Sequence, residues 1–189
     1  MKKDEVRSRV RAMKAVLEES EKSVAADAVF DMLEKTAAFL MAENILMYHS
    51  LPDELSTRKF IDKWSAIKRF FLPRVNGVNL EILPYDKTRL HLGAFHIEEP
   101  DGDDVQPVDS LDLIVVPGVG YDSKGNRVGR GKGYYDRLLV SSNATKIGVA
   151  YDFQVVDEIE AEEHDVKVDI IITDRHYSHV LSGRKVRFR

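Results

Sequence analysis

Three near-continuous apolar runs, LDLIVV (111–116), KIGVAY (146–151) and VDIIIT (168–173), constrain this chain more than any other feature. A strand with one face in water alternates apolar and polar residues, whereas a strand that is apolar almost throughout is covered on both faces. Shorter runs of strand length, NILMYH (44–49), FFLPRV (70–75) and NLEILPYD (79–86), precede them. Helical patterns lie between. Strands alternating with helices predict an α/β fold with a largely parallel central sheet flanked by helices and right-handed crossovers. In such sheets ligands bind in a cleft at the carboxyl ends of the strands.

Among the helices, Val6, Val10, Met13 and Leu17 recur at helical spacing, and Lys3, Arg7, Arg11 and Lys14 form a second, basic stripe on the same segment. A second helix is predicted from about Ser23 to Leu40, with Ala25, Val29, Met32, Leu33 and Leu40 toward the core. Pro52 and Asp53 mark a turn before a third, and GYYDRLLVSS (133–142) begins a short one. The acidic segment EEPDGDDVQPVDS (98–110) could be a linker, but neither half alone carries a complete α/β pattern, so one domain over 1–189 is expected. Its last 14 residues, HYSHVLSGRKVRFR, form a tail to which the pattern assigns no order.

A chain of 189 residues buries about 70% of the surface its unfolded form exposes, enough for a core and a cleft. With a net charge of −4, its bulk field repels phosphate, which argues against nucleic acid as a partner and requires any phosphate site to be local. The absence of cysteine excludes disulfides and thiolate chemistry. The start, MKKDEVRSRVRAMKAVLEES, lacks the apolar stretch of a signal peptide, and no run approaches membrane-spanning length, so a cytoplasmic monomer without membrane contact is expected.

Just past LDLIVV lies GNRVGRGKGYYDR (125–137), the stretch richest in chemistry. It is not a Walker loop: Gly131-Lys132 is followed by Gly133, and position 126 is Asn. Gly118 and Gly120 do not complete a dinucleotide fingerprint, since position 123 is Ser. Alternating glycines nevertheless let successive backbone N–H groups converge on an anion, and Arg127, Arg130 and Lys132 add positive charge. Together these suit a polyphosphate. Asp136 is a candidate Mg²⁺ ligand, with Asp165 or Asp169 in HDVKVD as a second. The six histidines show no zinc spacing; His176 and His179 are assigned to the surface, and Trp64 to packing.

The ordered stretch LDLIVVPGVGYDSKGNRVGRGKGYYDRLL closely resembles the signature of the 5-formyltetrahydrofolate cyclo-ligase family, also called methenyltetrahydrofolate synthetases. Lys3-x-x-Val6-Arg7 resembles the family's opening K-x-x-L-R helix, with Val6 for the usual Leu and Lys14 where Arg is common. YHSLPDELST, with Glu54 and Thr57, resembles its folate-side segment; FFLPRV, FHIEEP and HDVKVDIIIT match later elements, to about residue 175. The resemblance implies an ATP- and Mg²⁺-dependent conversion of 5-formyltetrahydrofolate to 5,10-methenyltetrahydrofolate, releasing ADP and phosphate. It places ATP on Lys3, Arg7 and the segment Gly125, Asn126, Arg127, Val128, Gly129, Arg130, Gly131, Lys132 and Gly133, with Arg130 and Lys132 catalytic. It implies folate at Glu54, His49, Tyr134 and Tyr135, and the metal at Asp136 and Asp165. Two other readings keep parts of this assignment: an ATP-dependent kinase or ligase of another anionic small molecule, and a non-catalytic binder of folate or nucleotide. The joint presence of Glu54, Lys132 and Asp136 argues against loss of activity.

Overall fold

Side chains alternate across a strand, so a strand buried on both faces needs an apolar residue at every position. The structure, a computed structural model, describes residues 1–93, 96–181 and 184–187. Its helices are α1 (Lys3–Ala15), α2 (Glu19–Leu33), α3 (Ala37–Met41), α4 (Arg58–Trp64) and α5 (Tyr134–Val140). Its strands are β1 (Asn44–Leu46), β2 (Arg69–Asn76), β3 (Asn79–Pro84), β4 (Leu90–Leu92), β5 (Glu98–Pro100), β6 (Leu113–Val116), β7 (Gly120–Asp122), β8 (Arg127–Val128), β9 (Thr145–Ala150), β10 (Val155–Val156), β11 (Ile170–Thr173), β12 (His176–His179) and β13 (Arg184–Arg187).

Eight strands form the central sheet in the order β13-β12-β11-β9-β6-β1-β2-β3. The inner run β11, β9, β6, β1 and β2 is parallel throughout; β3, β12 and β13 add antiparallel edges. Leu113, Val115, Ile147, Val149, Ile170 and Ile172 pack into one core with α2 and α4. The residues between them, Ile114, Val116, Ala150 and Ile171, pack into a second core with Leu138 and Leu139 of α5. The apolar runs are thus the signature of a sheet covered on both faces. Numbered by their own succession along the chain, the parallel strands lie 2-1-3-4-5. The direction of winding reverses between β1 and β6, and a crevice opens where the loops leaving those two strands part.

One packing contact on the second face is unusually close. The ring of Tyr121 is fully buried, and its hydroxyl donates to the Val116 carbonyl at 2.7 Å. The ring lies over Gly148 of β9, where a Cβ would come within 2.5 Å of Tyr121 Cε1. A glycine inside a central strand costs backbone entropy, and here the close approach of the ring accounts for it.

Three expectations are corrected: the span of the second helix, the place of Leu40 and the surface assignment of His176. The helix expected from Ser23 to Leu40 is two helices, α2 and α3, because Thr36 interrupts it: its hydroxyl donates to the Leu33 carbonyl at 2.7 Å and accepts from Phe39 N–H at 3.2 Å, as an N-cap does. Leu40 is consequently 59% exposed. Of the stripe Val6, Val10, Met13 and Leu17, Val6 and Val10 are buried and Met13 is exposed. The tail, whose order the sequence left open, joins the sheet: His176–His179 pairs antiparallel with β11 and Arg184–Arg187 with β12. His176 is half-buried, 2.7 Å from an Asp152 carboxylate oxygen. Phe95, in the matched FHIEEP segment, lies outside the described residues.

The Tyr121 contact makes a prediction. Gly148→Ala should lower the stability of the protein by about 1–3 kcal/mol, the usual cost of overpacking a filled core. Urea unfolding measures it, and an unchanged midpoint would show that the ring is not held against β9.

A candidate active-site cleft at the strand ends

A cleft of about 910 Å³ occupies the crevice between β1 and β6. Tyr48, His49 and Leu51 enter it just after β1, and Pro117, Gly118 and Val119 just after β6. The glycine segment, α1, the β2–β3 hairpin and residues 160–165 complete its walls.

The glycine segment is held from beneath by Asp122, a fully buried acid. One of its carboxylate oxygens accepts from the backbone N–H groups of Lys124 and Asn126, both at 3.0 Å. The other accepts from the Asn126 side-chain amide and from Ile159 N–H, both at 2.9 Å. Gly125 completes the turn with a left-handed φ of 83°, and a Cβ there would meet the Val168 carbonyl oxygen at 2.5 Å. Val128 is buried against Val6, Val10, Val156 and Ile159. Gly125, Asn126 and Val128, expected among the nucleotide contacts, therefore sit in the framework and do not line the cleft. The others do: Arg127, Gly129, Arg130, Gly131, Lys132 and Gly133.

Helix α1 reaches the cleft because Gly120 has no side chain; a Cβ there would lie 2.5 Å from Val6 Cγ1. Val6 and Val10 fix the helix on its apolar face, and Lys3 and Arg7 reach over the opening. Arg7 Nε donates to the Gly129 carbonyl at 2.9 Å. Arg11, the third member of the basic stripe, is exposed. Lys3 meets the Asp165 carboxylate at 2.7 Å and Glu162 at 3.1 Å. Burial works against the charges of this pair but is outweighed: Asp165 and Glu162 raise the Lys3 pKa, while the Glu162 N–H and Lys3 lower that of Asp165.

Arg127 is buried to 6% exposure. Its guanidinium donates to the Pro117 carbonyl at 3.0 Å, lies 3.6 Å from Asp136 and stacks over the Tyr135 ring at 5.6 Å. Its Nε has no partner among the described residues. Asp136 accepts a long bond, 3.4 Å, from Val166 N–H, so Asp136 and Asp165 border the same segment. Asp169 is elsewhere: it accepts from Lys146 N–H at 2.8 Å at the amino ends of β9 and β11, away from the cleft. Glu162, His164 and Asp165 offer ligand atoms within 4.8 Å of one another, a grouping the sequence pattern missed.

On the other side, Glu54 lines the cleft with its carboxylate 15% exposed, accepting from Leu51 N–H at 3.0 Å. Burial raises its pKa above the ordinary glutamate value, against the opposing pull of the Leu51 N–H and Arg130. Arg130 crosses the opening to Asp53, with Nη2 3.0 and 3.2 Å from the two carboxylate oxygens, and lies 3.9 Å from Glu54. That pair is half exposed and is worth no more than about 1 kcal/mol, so Arg130 is lightly tethered. His49 Nδ1 lies 3.0 Å from Glu98, but burial and the Arg58 charge lower its pKa, which leaves the ring mostly neutral at pH 7. Tyr134 and Tyr135 both line the cleft; burial pushes the Tyr135 phenol far up, so it stays protonated.

Two buried carboxylates, Asp122 and the cleft-wall Glu99, were not singled out from the sequence, and Asp53 was read only as part of a turn. Asp122 alone carried a local signal. An Asp followed by N–H groups two and four residues on, with glycine between, is an Asx-type turn. Asp53 and Glu99 act across distances of 77 and 24 residues and leave no local trace.

Fold and cleft together define the class, an α/β protein with a cation-lined cleft at the point where its strand order reverses. A profile of the 5-formyltetrahydrofolate cyclo-ligase family matches residues 1–174. The chain is 34% identical over 144 residues to the 5-formyltetrahydrofolate cyclo-ligase of Escherichia coli strain K12, covering 71% of this chain and 79% of that one. It is 30% identical over 182 residues to that of Haemophilus influenzae, covering 90% and 97%. The solved 5,10-methenyltetrahydrofolate synthetase of Aquifex aeolicus superposes with a TM-score of 0.87 at 30% identity, over 99% of this chain and 97% of that one. The protein belongs to the 5-formyltetrahydrofolate cyclo-ligase family.

The Asp122 network gives the prediction here. Asp122→Ala strands four donors and should cost about 3 kcal/mol or more. Urea denaturation reads the loss, and hydrogen exchange should show residues 123–128 deprotected first; a variant with wild-type stability and exchange would refute the anchoring role.

Proposed function

We propose that the protein closes 5-formyltetrahydrofolate to 5,10-methenyltetrahydrofolate at the expense of ATP, releasing ADP and phosphate, in this cleft. The observation that carries the reading is one cavity walled on one side by glycines and cations and on the other by a buried carboxylate, in a chain of this family. Nucleotide phosphates suit the exposed turn from Gly129 to Gly133, with Lys3, Arg7, Arg127 and Lys132 around it. The pterin suits Glu54, whose carboxylate can accept two parallel bonds from an amino group and an adjacent ring N–H. His49, Tyr134 and Tyr135 would flank it.

In this reading the formyl oxygen attacks the γ-phosphorus as the bond to ADP breaks, leaving a phosphorylated iminium carbon. N10 then adds to that carbon and loses its proton, and the C–O bond breaks to release phosphate. Such a reaction asks the protein for position and charge compensation, and no protein nucleophile is needed. Arg130 and Lys132 would neutralise charge developing on the transferring group. Arg130 can do so because its tether to Asp53 is weak and exposed.

The donor set also fits Mg²⁺. Asp136 and Asp165 offer hard carboxylate oxygens at the cleft, and among the described residues Asp136 makes only long contacts, 3.4 Å to Val166 N–H and 3.6 Å to Arg127. When bound, the ion would draw negative charge from the phosphate oxygens. Small-molecule substrates are the partners in this reading. No helix among the described residues is long and apolar enough to cross a membrane.

Incubation with 5-formyltetrahydrofolate, ATP and Mg²⁺ should produce the near-ultraviolet absorbance of the methenyl product, and its absence at every enzyme concentration would refute the proposal. Lys132→Ala should lower kcat by about 10²–10³ with folate affinity little changed, the loss typical of one charge-stabilising donor. Glu54→Ala should instead weaken folate binding by about 10–100-fold, the value of a charge-assisted bond. Because burial raises the Glu54 pKa and the acceptor must be ionised, folate affinity should be full above that raised pKa and fall as pH drops through it. Titrating affinity against pH in the wild type and Glu54→Gln tests the sign: the variant should bind weakly throughout and lack that transition.

A further inference from the structure

The side chain that follows the metal-ligand candidate Asp136 makes more contacts than an exposed arginine needs. Arg137 Nε donates to the Val78 carbonyl at 2.7 Å, at the tip of the β2–β3 hairpin. Its Nη2 donates to the Lys132 carbonyl at 2.8 Å, inside the glycine turn. The guanidinium lies over the Tyr134 ring at 5.5 Å, and the Tyr134 hydroxyl approaches the Gly77 carbonyl of the same hairpin tip at 3.5 Å. Two features of the backbone make room for this arrangement. Gly77, with φ of 63°, turns the hairpin tightly enough to present the Val78 carbonyl. Gly133 lacks a Cβ that would stand 2.7 Å from Arg137 Nη1.

Two carbonyls from segments more than 50 residues apart thus converge on one rigid, planar fork, a geometry that arginine holds and lysine does not. The consequence reaches the cleft through the peptide that joins Lys132 to Gly133. A trans peptide is planar, with its C=O and N–H pointing in opposite directions. Fixing the Lys132 carbonyl on Arg137 therefore fixes the Gly133 N–H to point away from the guanidinium. That peptide turns about Lys132 ψ and Gly133 φ, and Gly133, at a left-handed φ of 71°, takes either sign of φ at little cost, so the Arg137 bond favours one orientation over others that the glycine permits.

We infer that Arg137 is a positioning residue: it locks the Lys132–Gly133 peptide so that the Gly133 N–H is pre-set as a donor to the nucleotide's phosphate oxygens, and it ties that turn to the β2–β3 hairpin. This rests on the proposed placement of ATP on the glycine turn. The hairpin is a suitable anchor because Pro73, Val75 and Leu80 of the same two strands also line the cleft. Arg137 thereby holds one wall in register with the other without touching either substrate.

The test measures ATP binding directly by calorimetry, in the presence of Mg²⁺, for the wild type, Arg137→Ala and Arg137→Lys, together with kcat, both KM values and the melting temperature. Arg137→Ala is expected to weaken ATP binding about 10-fold and raise the KM for ATP by a similar factor, with folate affinity and melting temperature little changed. Arg137→Lys should recover only part, because an ammonium cannot serve both carbonyls in the fork geometry. The Gly133 amide resonance, which should shift on ATP addition in the wild type, should lose most of that shift in Arg137→Ala. Wild-type ATP affinity and an unaltered Gly133 shift in Arg137→Ala would overturn the inference. So would an equal loss of ATP and folate binding, which would mark a general structural role. Failure of the wild type itself to bind ATP would instead refute the placement of the nucleotide, so the two outcomes are separable.

Discussion

Four hydrogen bonds converge on the Asp122 carboxylate, and the geometry of the cleft follows from them. They close the turn at residues 122–126, and through Ile159 N–H they bind it to the segment that returns toward Asp165. Ile159 also belongs to the small apolar cluster on which Val6 and Val10 of α1 rest. One buried acid therefore sets the base of the glycine segment, the path of the chain toward Asp165 and the bed of the helix that carries Lys3 and Arg7. A buried carboxylate is tolerated only when its hydrogen bonds are met, and here every bond it accepts orders a piece of the site.

Cations concentrate around a cleft in a chain whose net charge is −4, and four of them face an acid. Lys3 faces Asp165, Arg130 faces Asp53, Arg127 faces Asp136 and Arg7 faces Asp4. Each acid offsets part of the repulsion between cations held this close together. The pairings also graduate the site. The Arg127 guanidinium is buried, bonded to Pro117 and stacked on Tyr135, and so belongs to the fixed wall. Arg130 is half exposed on a weak tether and is the cation best able to change partners.

The sheet was legible because burial on both faces writes itself into nearly every position of β6, β9 and β11. Their apolar runs needed no information from elsewhere in the chain. The break between α2 and α3 was not legible, since Thr36 sits in a pattern that continues the helical period and only its hydroxyl's bonds to Leu33 and Phe39 end it. The order of the tail stayed open for a different reason: β12 is only half-buried and β13 is the last strand of the sheet, and HYSHVLSGRKVRFR carries no apolar alternation strong enough to declare them. In the cleft, the glycine segment was legible from its own residues and Lys3, Arg7 and Glu54 through the family resemblance, whereas the roles of Asp53 and Glu99, whose partners lie 77 and 24 residues away, were not. Asp165 and Asp169, four residues apart, looked equivalent, yet the turn between them carries one to the cleft and leaves the other at the amino ends of β9 and β11.

The motif GNRVGRGKGYYDR resolves into two devices with opposite requirements. Residues 125–128 are buried and immobilised by Asp122, Val168 and the α1 cluster; Arg130, Gly131 and Lys132 are exposed. The first half has to be rigid to aim the second, and the second has to be open to admit a ligand. A Walker loop meets both needs by running directly from its glycines into a long helix. Here α5 is only seven residues long, and rigidity comes from both flanks: the Asp122 turn before the working glycines, and the Arg137 contacts with Val78 and Lys132 after them. Departure from the familiar fingerprint is thus what this architecture requires, because a turn without a long helix behind it must be braced by side chains at each end.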